Sequence, residues 1–349
     1  DAVRAARPEA RVVFAGTEDR LEARAVPEAG YALPPITVSG FQRSLSAENL
    51  SFPVKLMKGL WQSWKLVGSI DPDVAVGTGG YVAGPVLLAA WLRGRPILLQ
   101  EQNAYAGVTN RMLGYLAARI HVAFPEAEDW LPEGRTVVSG NPIRRSLTDA
   151  DPDAARNAFG LPPQARVLLV FGGSLGSQAL NDAMEAHLLD ILAGDDVHVI
   201  WQTGSRYYDD IDDRLAGTPL ASHPRLHRME YIDRMDRAYA AADLALCRAG
   251  AITCSELLVT GTPAVLVPSP NVVADHQTKN ARSLERAGAA RMLPETELDE
   301  RLVDTVTDLL ADADARADMA EAARTTARPD AADAIADDVL TLAHAYRQN

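Results

Sequence analysis

The sequence predicts an α/β protein made of two successive doubly wound domains. Short apolar, β-rich runs alternate with amphipathic helical segments along most of the chain. The pattern stops at Gly140-Asn141-Pro142, where Asn-Pro favours a turn, and then starts again. The length, 349 residues at 47% hydrophobic and 23% charged, is enough for two cores of ordinary composition.

In chain order, the first segment, DAVRAARPEA, reads as the end of a helix. RVVFAG (11–16) reads as a strand, followed by strands in DVAVG (73–77), PILLQE (96–101), IHVAF (120–124) and TVVSG (136–140). After the turn come RVLLVFGG (166–173), VHVIWQTG (197–204), RLHRMEYI (225–232), LALCRAG (244–250) and PAVLVPS (263–269). Strands separated by helices pair in parallel. Ligands of such sheets bind beyond the carboxyl ends of the strands, in a cleft.

The bulk numbers exclude several classes. A net charge of −13 argues against a general nucleic-acid binder, which needs a basic face to displace counterions. The acidic excess is dense in 295–340 and reads as a solvated helical surface. Cys247 and Cys254 form neither a C-x-x-C pair nor a disulfide framework, which suggests a reducing compartment. No apolar run reaches the roughly 18–20 residues that span a bilayer. His223 and His227 stand four apart, but Pro224 lies between them and no acidic motif follows, so a metal site is not expected there.

The chemistry concentrates in glycine turns. In VFGGSLGSQALNDAM (170–184) an apolar strand runs through glycines and Ser174 into a helix, a backbone nest for phosphate without the lysine of a P-loop. GTGGYVAGP (77–85) repeats the strand–glycine–helix pattern, either as an anion site or as a simple tight turn. In QEQNAYAGVTNR (100–111), Glu101, Gln102 and Asn103 follow a buried strand and either face the cleft or serve the loop, and Thr109-Asn110 can start a helix. Arg144, in SGNPIRR, suits a pyrophosphate or sits in solvent. In RAGAITCSE (248–256), Thr253 and Glu256 fit a capping box; alternatively the Glu256 carboxylate accepts both hydroxyls of a ribose. His276 and Gln277, in ADHQTKNA, grip sugar hydroxyls or cap a helix.

One segment stands apart in charge. FPVKLMKGLWQSWKLV (52–67) places Val54, Met57, Leu60, Trp61 and Trp64 at helical spacings, interleaved with Lys55, Lys58 and Lys65 and with no acidic residue. It is either a core-facing helix with a wet lysine edge or a surface for anionic lipid.

Taken together, GTGGYVAGP, EQNAYAGVTNR, GNPIR, GGSLGSQALN, CRAGAITCSE and DHQTKNA resemble the motifs of the MurG family of peptidoglycan N-acetylglucosaminyltransferases, in that family's order, from Val12 to about Ala290. The resemblance implies a GT-B fold of two Rossmann-like domains. It divides the chain into an acceptor- and membrane-facing domain (1–142), a UDP-GlcNAc-binding domain (143–327) and a C-terminal helix (328–349) packing back on the first. It implies inverting transfer of N-acetylglucosamine from UDP-GlcNAc to the muramyl C4 hydroxyl of lipid I, giving lipid II. No cofactor and no tightly bound metal are expected, because cationic and backbone donors stabilise the leaving diphosphate.

Carried over by position, the resemblance implies that Glu256 holds the ribose and that Ile232 meets the uracil through its backbone. Ser174 and Arg144 face the diphosphate, with N–H groups from Ala251, Ile252, Thr253, Cys254, Ser255 and Glu256. His276 and Gln277 read the sugar. Asn103 lies near the transferred sugar, and Tyr81 and Glu101 lie toward the acceptor. Lys55, Met57, Lys58, Leu60, Trp61, Trp64 and Lys65 dock the protein on the anionic cytoplasmic face of the inner membrane, as a peripheral protein with other cell-wall synthesis proteins as further partners.

The family's first strand and its glycine-rich, histidine-bearing loop have no counterpart here. This implies an N-terminally incomplete chain that binds donor better than it turns over, with no assigned catalytic base and Glu101 as the candidate on hand. Two alternatives remain at this point: a UDP-GlcNAc 2-epimerase, and a non-catalytic membrane-attached UDP-sugar-binding subunit.

Overall fold

The computed structural model describes residues 1–18, 22–36, 48–194 and 196–348, with the side chains of 48–54 and 56 outside the description. The chain divides into two compact units: Asp1–Gly140 with Asp330–Asn349, and Asn141–Pro329.

The first unit opens with short helices α1 (Ala2–Ala6) and α2 (Glu22–Glu28) and the long α3 (Glu48–Ile70). Strand β1 (Ala75–Gly77), helix α4 (Gly80–Leu92), strand β2 (Ile97–Glu101), helix α5 (Val108–Gly114), and strands β3 (Arg119–Val122) and β4 (Thr136–Val138) follow. The four strands form a parallel sheet in chain order. Its core includes Leu87, Ile97, Leu99, Leu113, Ile120 and Val122. RVVFAG is not a strand. It contributes only isolated bridges, Val13 to Ala32 and Gly16 to Pro35. The opposing segment carries Pro34-Pro35, two residues without an N–H, so a ladder cannot extend there.

The second unit contains α6 (Pro152–Ala158), β5 (Arg166–Phe171), α7 (Gln178–Ile191), β6 (Val197–Gln202), α8 (Tyr208–Leu215), β7 (Leu226–Met229), α9 (Met235–Ala241), β8 (Leu244–Cys247), α10 (Ala251–Thr260), β9 (Ala264–Leu266), α11 (His276–Arg286), β10 (Ala290–Met292), α12 (Leu298–Ala311) and α13 (Ala313–Thr326). Its six strands are parallel in the order β10-β9-β8-β5-β6-β7. The chain therefore builds outward from β5 in one direction, returns to β8 on the other side of β5, and builds away again. A crevice must open where those two directions diverge, beyond the carboxyl ends of β5 and β8. The sheet is held by a core that includes Leu168, Val170, Met184, Leu188, Trp201, Leu246, Val265, Leu302 and Val306. Strand β10 was not anticipated: three residues before Leu293-Pro294 are too short to show a period.

The last helix, α14 (Ala331–Gln348), belongs to the first unit. Arg347 makes a two-pronged ion pair with Asp73 at 2.7 and 2.8 Å. Asp338 lies 3.1 Å from the buried His121.

Two buried histidines, His121 and His198, and the half-buried His227 make stability depend on pH. Burial holds His121 below its usual pKa, against the opposing pull of Asp338. Burial, then the neighbouring charges of His227 and Arg225, lowers His198, and burial lowers His227. His198 Nδ1 and His227 Nε2 face each other at 3.4 Å, on β6 and β7. A base whose folded pKa is depressed stabilises the fold above its unfolded value of 6.5, and that contribution disappears as pH falls through the folded value. The melting temperature is therefore expected to be level above pH 7 and to fall as pH drops below about 6.5, before the carboxylates titrate. His227→Gln should flatten that fall in a pH series of thermal melts.

Candidate active site

At the crevice of the second unit, β5 ends at Phe171 and the chain passes through Gly172–Ser177 into α7. Gly173 and Gly176 take φ of +95° and +82°, values open to glycine, and Ser174 is exposed at the tip. Ser177 caps α7, accepting from the Leu180 N–H, and also accepts from Arg248 Nε at 2.8 Å. Arg248 stands just beyond β8, so one guanidinium ties the two loops flanking the crevice. A buried glutamine ties the first of these to a third. Gln202, the last residue of β6, donates Nε2 to the Gly173 carbonyl at 3.0 Å and accepts the Ile232 N–H on Oε1 at 2.9 Å. The Ile232 N–H is thus engaged within the protein.

Beyond β8, α10 begins at Ala251, with Gly250 as N-cap and no side-chain cap. The capping-box reading of Thr253 and Glu256 is corrected: both lie inside the helix. The Cys254 N–H already donates to the Gly250 carbonyl at 2.9 Å. The exposed donors of the first turn are therefore those of Ala251, Ile252 and Thr253, and the N–H groups expected of Cys254, Ser255 and Glu256 belong to the helix ladder. Cys254 is wholly buried, its thiol pushed up to about 12 by that burial. The Ser255 hydroxyl donates to the Ala251 carbonyl at 3.1 Å and accepts from Asn141 Nδ2 at 3.0 Å.

Glu256 lies one turn further on, half-buried. Burial pushes its carboxyl up from the ordinary value, against the pull of a hydrogen bond from Tyr239 and the charge of Arg144. The Tyr239 hydroxyl donates to Glu256 Oε2 at 3.0 Å. Arg144 itself is exposed.

Past β9, Gln277 Oε1 accepts the Ser269 N–H at 2.9 Å, which aims its amide NH₂ away from that loop. His276 Nδ1 lies 2.8 Å from the Val273 carbonyl. A carbonyl only accepts, so the proton sits on Nδ1 and Nε2 is the ring's remaining acceptor. Ala274 and Asp275, just before α11, both take left-handed φ, 57° and 53°, which non-glycine residues adopt at a cost.

In the first unit, Gly79 and Gly80 turn the chain after β1 with φ of +90° and +80°, and α4 starts without a side-chain cap beside the exposed Tyr81. The acidic residue of the next loop is not a free base. Glu101 is 4% exposed and accepts from the Asn103 N–H at 3.0 Å, the Gly107 N–H at 2.9 Å and Asn110 Nδ2 at 2.8 Å. Its carboxylate folds the loop that carries Asn103, and this removes it as acceptor-side base. Asn110 does not start a helix: it lies inside α5, whose N-cap is Gly107, as the buried partner in that network.

Helix α3 resolves the face of the tryptophan–lysine segment. Its buried line is Gly59, Ser63 and Val67, four residues apart. Met57, Trp61 and Trp64 point outward at 66%, 58% and 43% exposure, with Lys58 exposed and Lys55 and Leu60 half-buried; the Val54 side chain lies outside the described residues. Lys65 Nζ stands 3.7 Å from the Trp61 ring and the Arg93 guanidinium 4.1 Å from Trp64. Among the described side chains, Met57 and the two tryptophans thus lie on the solvent face of this helix. A second stripe on the same unit was missed: Val108, Met112 and Tyr115, spaced four and three apart along and just beyond α5, are all exposed. Their spacing was the available signal.

Among the described residues, no group of three or more His, Cys, Asp or Glu is placed to hold a metal ion. Nor, among the described residues, is any helix long and apolar enough to cross a membrane.

Two parallel α/β units, the second with a strand-order switch that places the uncapped start of α10 at its crevice, make up a GT-B architecture suited to an anionic ligand. The chain belongs to glycosyltransferase family 28: the family's N-terminal domain matches residues 2–122 and its C-terminal domain residues 167–335. It is 68% identical, over the whole chain and 93% of the relative, to the UDP-N-acetylglucosamine--N-acetylmuramyl-(pentapeptide) pyrophosphoryl-undecaprenol N-acetylglucosamine transferase of Salinibacter ruber. It is 40% identical to the enzyme of the same name from Bacteroides thetaiotaomicron, over 97% of the chain and 91% of the relative. The crystal structure of Acinetobacter baumannii MurG superposes with a TM-score of 0.77 at 28% identity, covering 97% of this chain and 94% of that one. A UDP-GlcNAc 2-epimerase from Neisseria meningitidis, bound to UDP-GlcNAc, shares the fold at a TM-score of 0.59 and 12% identity, over 94% of this chain and 99% of that one.

Proposed function

We infer that this chain transfers N-acetylglucosamine from UDP-GlcNAc to the muramyl C4 hydroxyl of lipid I, giving lipid II. The observation that carries this reading is the 68% identity to the Salinibacter ruber transferase along the entire chain. The crevice of the second unit supports the donor half. The first turn of α10 offers three N–H groups and the positive end of a ten-residue helix to a diphosphate. Ser174 and Arg144 add polar and cationic contacts, Glu256 takes the ribose, the Ile232 carbonyl meets the uracil, and His276 with Gln277 reads the sugar. Charge that develops on the departing diphosphate meets donors already in place, so this reading calls on no tightly bound metal. Asn103, held by the Glu101 loop, stands near the transferred sugar, and Tyr81 lies on the acceptor side.

The test is to supply UDP-GlcNAc and detergent-dispersed lipid I and to follow both UDP and lipid products. Lipid II with inverted linkage, in step with UDP, is the expected result. Conversion of UDP-GlcNAc to its 2-epimer without a lipid product would overturn it in favour of the epimerase.

The acceptor is a lipid, so the exposed stripe of α3 is read as the face that meets the cytoplasmic side of the inner membrane. Trp61 and Trp64 supply apolar area and an amphipathic ring for the interface, and Lys58 and Lys65 supply charge for anionic headgroups. Val108, Met112 and Tyr115 extend the reading. Exchanging both tryptophans for alanine should weaken sedimentation with anionic vesicles by about ten-fold or more, since burying one large apolar side chain contributes roughly 1.5–3 kcal/mol. Unchanged binding would remove α3 from the docking face.

A further inference from the structure

Glu256 has a protein partner that the donor contacts leave without a role. Tyr239, in α9, is 3% exposed, and its hydroxyl donates to Glu256 Oε2 at 3.0 Å. Its ring meets Phe171 edge-on, with centroids 6.0 Å apart and planes at 81°. Phe171 is the last residue of β5, immediately before the glycine loop. One side chain thus links the strand beneath the phosphate-facing loop to the carboxylate on α10.

The surroundings make that link matter. Burial favours a protonated Glu256, while the Tyr239 hydrogen bond and the Arg144 charge favour the ionised form. The remaining titratable neighbours, Cys247 on β8 and Cys254 on α10, are fully buried, with thiols pushed up. Burial and the facing Glu256 carboxylate also push Tyr239 well above its ordinary value, so its hydroxyl remains a donor throughout the working range.

We propose that Tyr239 is a positioning residue for the donor ribose: its hydroxyl pins one Glu256 oxygen, so that Oε1 and the second lone pair of Oε2 are presented to the two ribose hydroxyls. The proposal rests on the reading of Glu256 as the ribose acceptor. Tyr239 touches no substrate and acts only through the carboxylate it orients. In the absence of that hydrogen bond the carboxylate both turns more freely and protonates at higher pH, and either change weakens its hold on a diol.

The experiment compares wild type, Tyr239→Phe, Glu256→Gln and the double variant in titrations with UDP and 2′-deoxy-UDP. Steady-state kinetics in UDP-GlcNAc are measured across pH. Tyr239→Phe keeps the ring against Phe171. It is expected to weaken UDP by about five- to ten-fold, the order of one ordinary hydrogen bond, because the lost bond acts only through the carboxylate it orients, and to raise KM for UDP-GlcNAc with kcat nearly unchanged. The preference for UDP over the deoxy analogue should shrink, and the acid limb of the KM profile should move to higher pH. Added to Glu256→Gln, it should cost little more. Site-specific 3-fluorotyrosine at 239, a stronger donor of nearly the same shape, should move the acid limb to lower pH, which keeps the test valid if the phenylalanine variant melts early. If Glu256→Gln abolishes the ribose preference while both Tyr239 replacements leave it and the pH limb unchanged, Tyr239 is a packing residue and the proposal falls alone. If Glu256→Gln leaves the preference intact, the ribose reading itself fails and takes the proposal with it.

Discussion

Glu256→Ala is expected to weaken UDP-GlcNAc binding by about a hundred-fold while leaving the fold as stable as wild type or more so. The first half follows from two ribose hydroxyls losing an ionised acceptor. Hydrogen bonds to charged groups contribute about 1.5–3 kcal/mol each, and the second bond of a pair adds less than the first, so about 3 kcal/mol is the expected total. The second half has the opposite sign because of burial. The ligand-free protein holds this carboxylate in surroundings that raise its pKa, so its ionised form is a burden on the fold that alanine removes. Against that gain stands the Tyr239 hydroxyl, which loses its acceptor. Glu256→Gln keeps one acceptor oxygen, which the Tyr239 hydroxyl occupies, and turns a donor NH₂ toward the ribose, so it should cost nearly as much in donor affinity while sparing the Tyr239 bond. Calorimetric titration with UDP-GlcNAc, with thermal melts of the same samples, separates the two effects. Equal losses of affinity and stability would mean that Glu256 is a structural residue.

The parts of this site that were legible in the sequence are those whose physics is local. Glycines after an apolar strand and before a helix signal a backbone turned toward a ligand, and Gly173, Gly176, Gly79 and Gly80 do carry positive φ. The Ala251–Glu256 segment shows the limit of that reading. The sequence presents six consecutive candidate donors, but Gly250 caps the helix, so three are left and the rest enter the ladder. Glu101 fails for a tertiary reason: its partners are one peptide N–H two residues on, another six on, and a side chain nine on. The direction of α3 was ambiguous because tryptophans and lysines interleave with either periodicity. Gly59, Ser63 and Val67, small or modest residues four apart, decide it by being the ones that pack. Tyr239 and Gln202 were invisible for a different reason. A tyrosine among alanines and a glutamine closing a buried strand both read as ordinary core, and their hydroxyl and amide acquire roles only when α10 and the loops after β5 and β7 are brought alongside.

Gly204→Ala is expected to be a severely damaging single-atom change in the second unit. Gly204 follows β6 with φ of +88°, and a Cβ there would overlap the backbone of Leu175 and Gly176 in the loop after β5. Gly176 returns the constraint, since its own Cβ would overlap the Thr203 carbonyl. The two loops therefore cross backbone against backbone, and no side chain can swing aside to admit a methyl group. The crossing is braced on either side: Asn181 Nδ2 donates to the Thr203 carbonyl at 2.9 Å, and Gln202 holds the Gly173 carbonyl. Gly217 offers the control. Its φ is +77°, but a Cβ there meets nothing within 4 Å. Gly217→Ala should cost about 1 kcal/mol, the strain of a left-handed residue alone. Gly204→Ala adds a backbone displacement and should cost about 3–5 kcal/mol, the range of severe core lesions. Urea titrations of the two variants would measure the difference. Donor binding should follow the same order, because the displaced segment is the loop proposed to face the diphosphate and because Gln202, two residues before Gly204, also holds the Ile232 N–H. A Gly204→Ala protein that unfolds at the midpoint of Gly217→Ala and binds UDP-GlcNAc normally would mean that the crossing is loose in solution, and that the cradle takes its shape from the ligand instead.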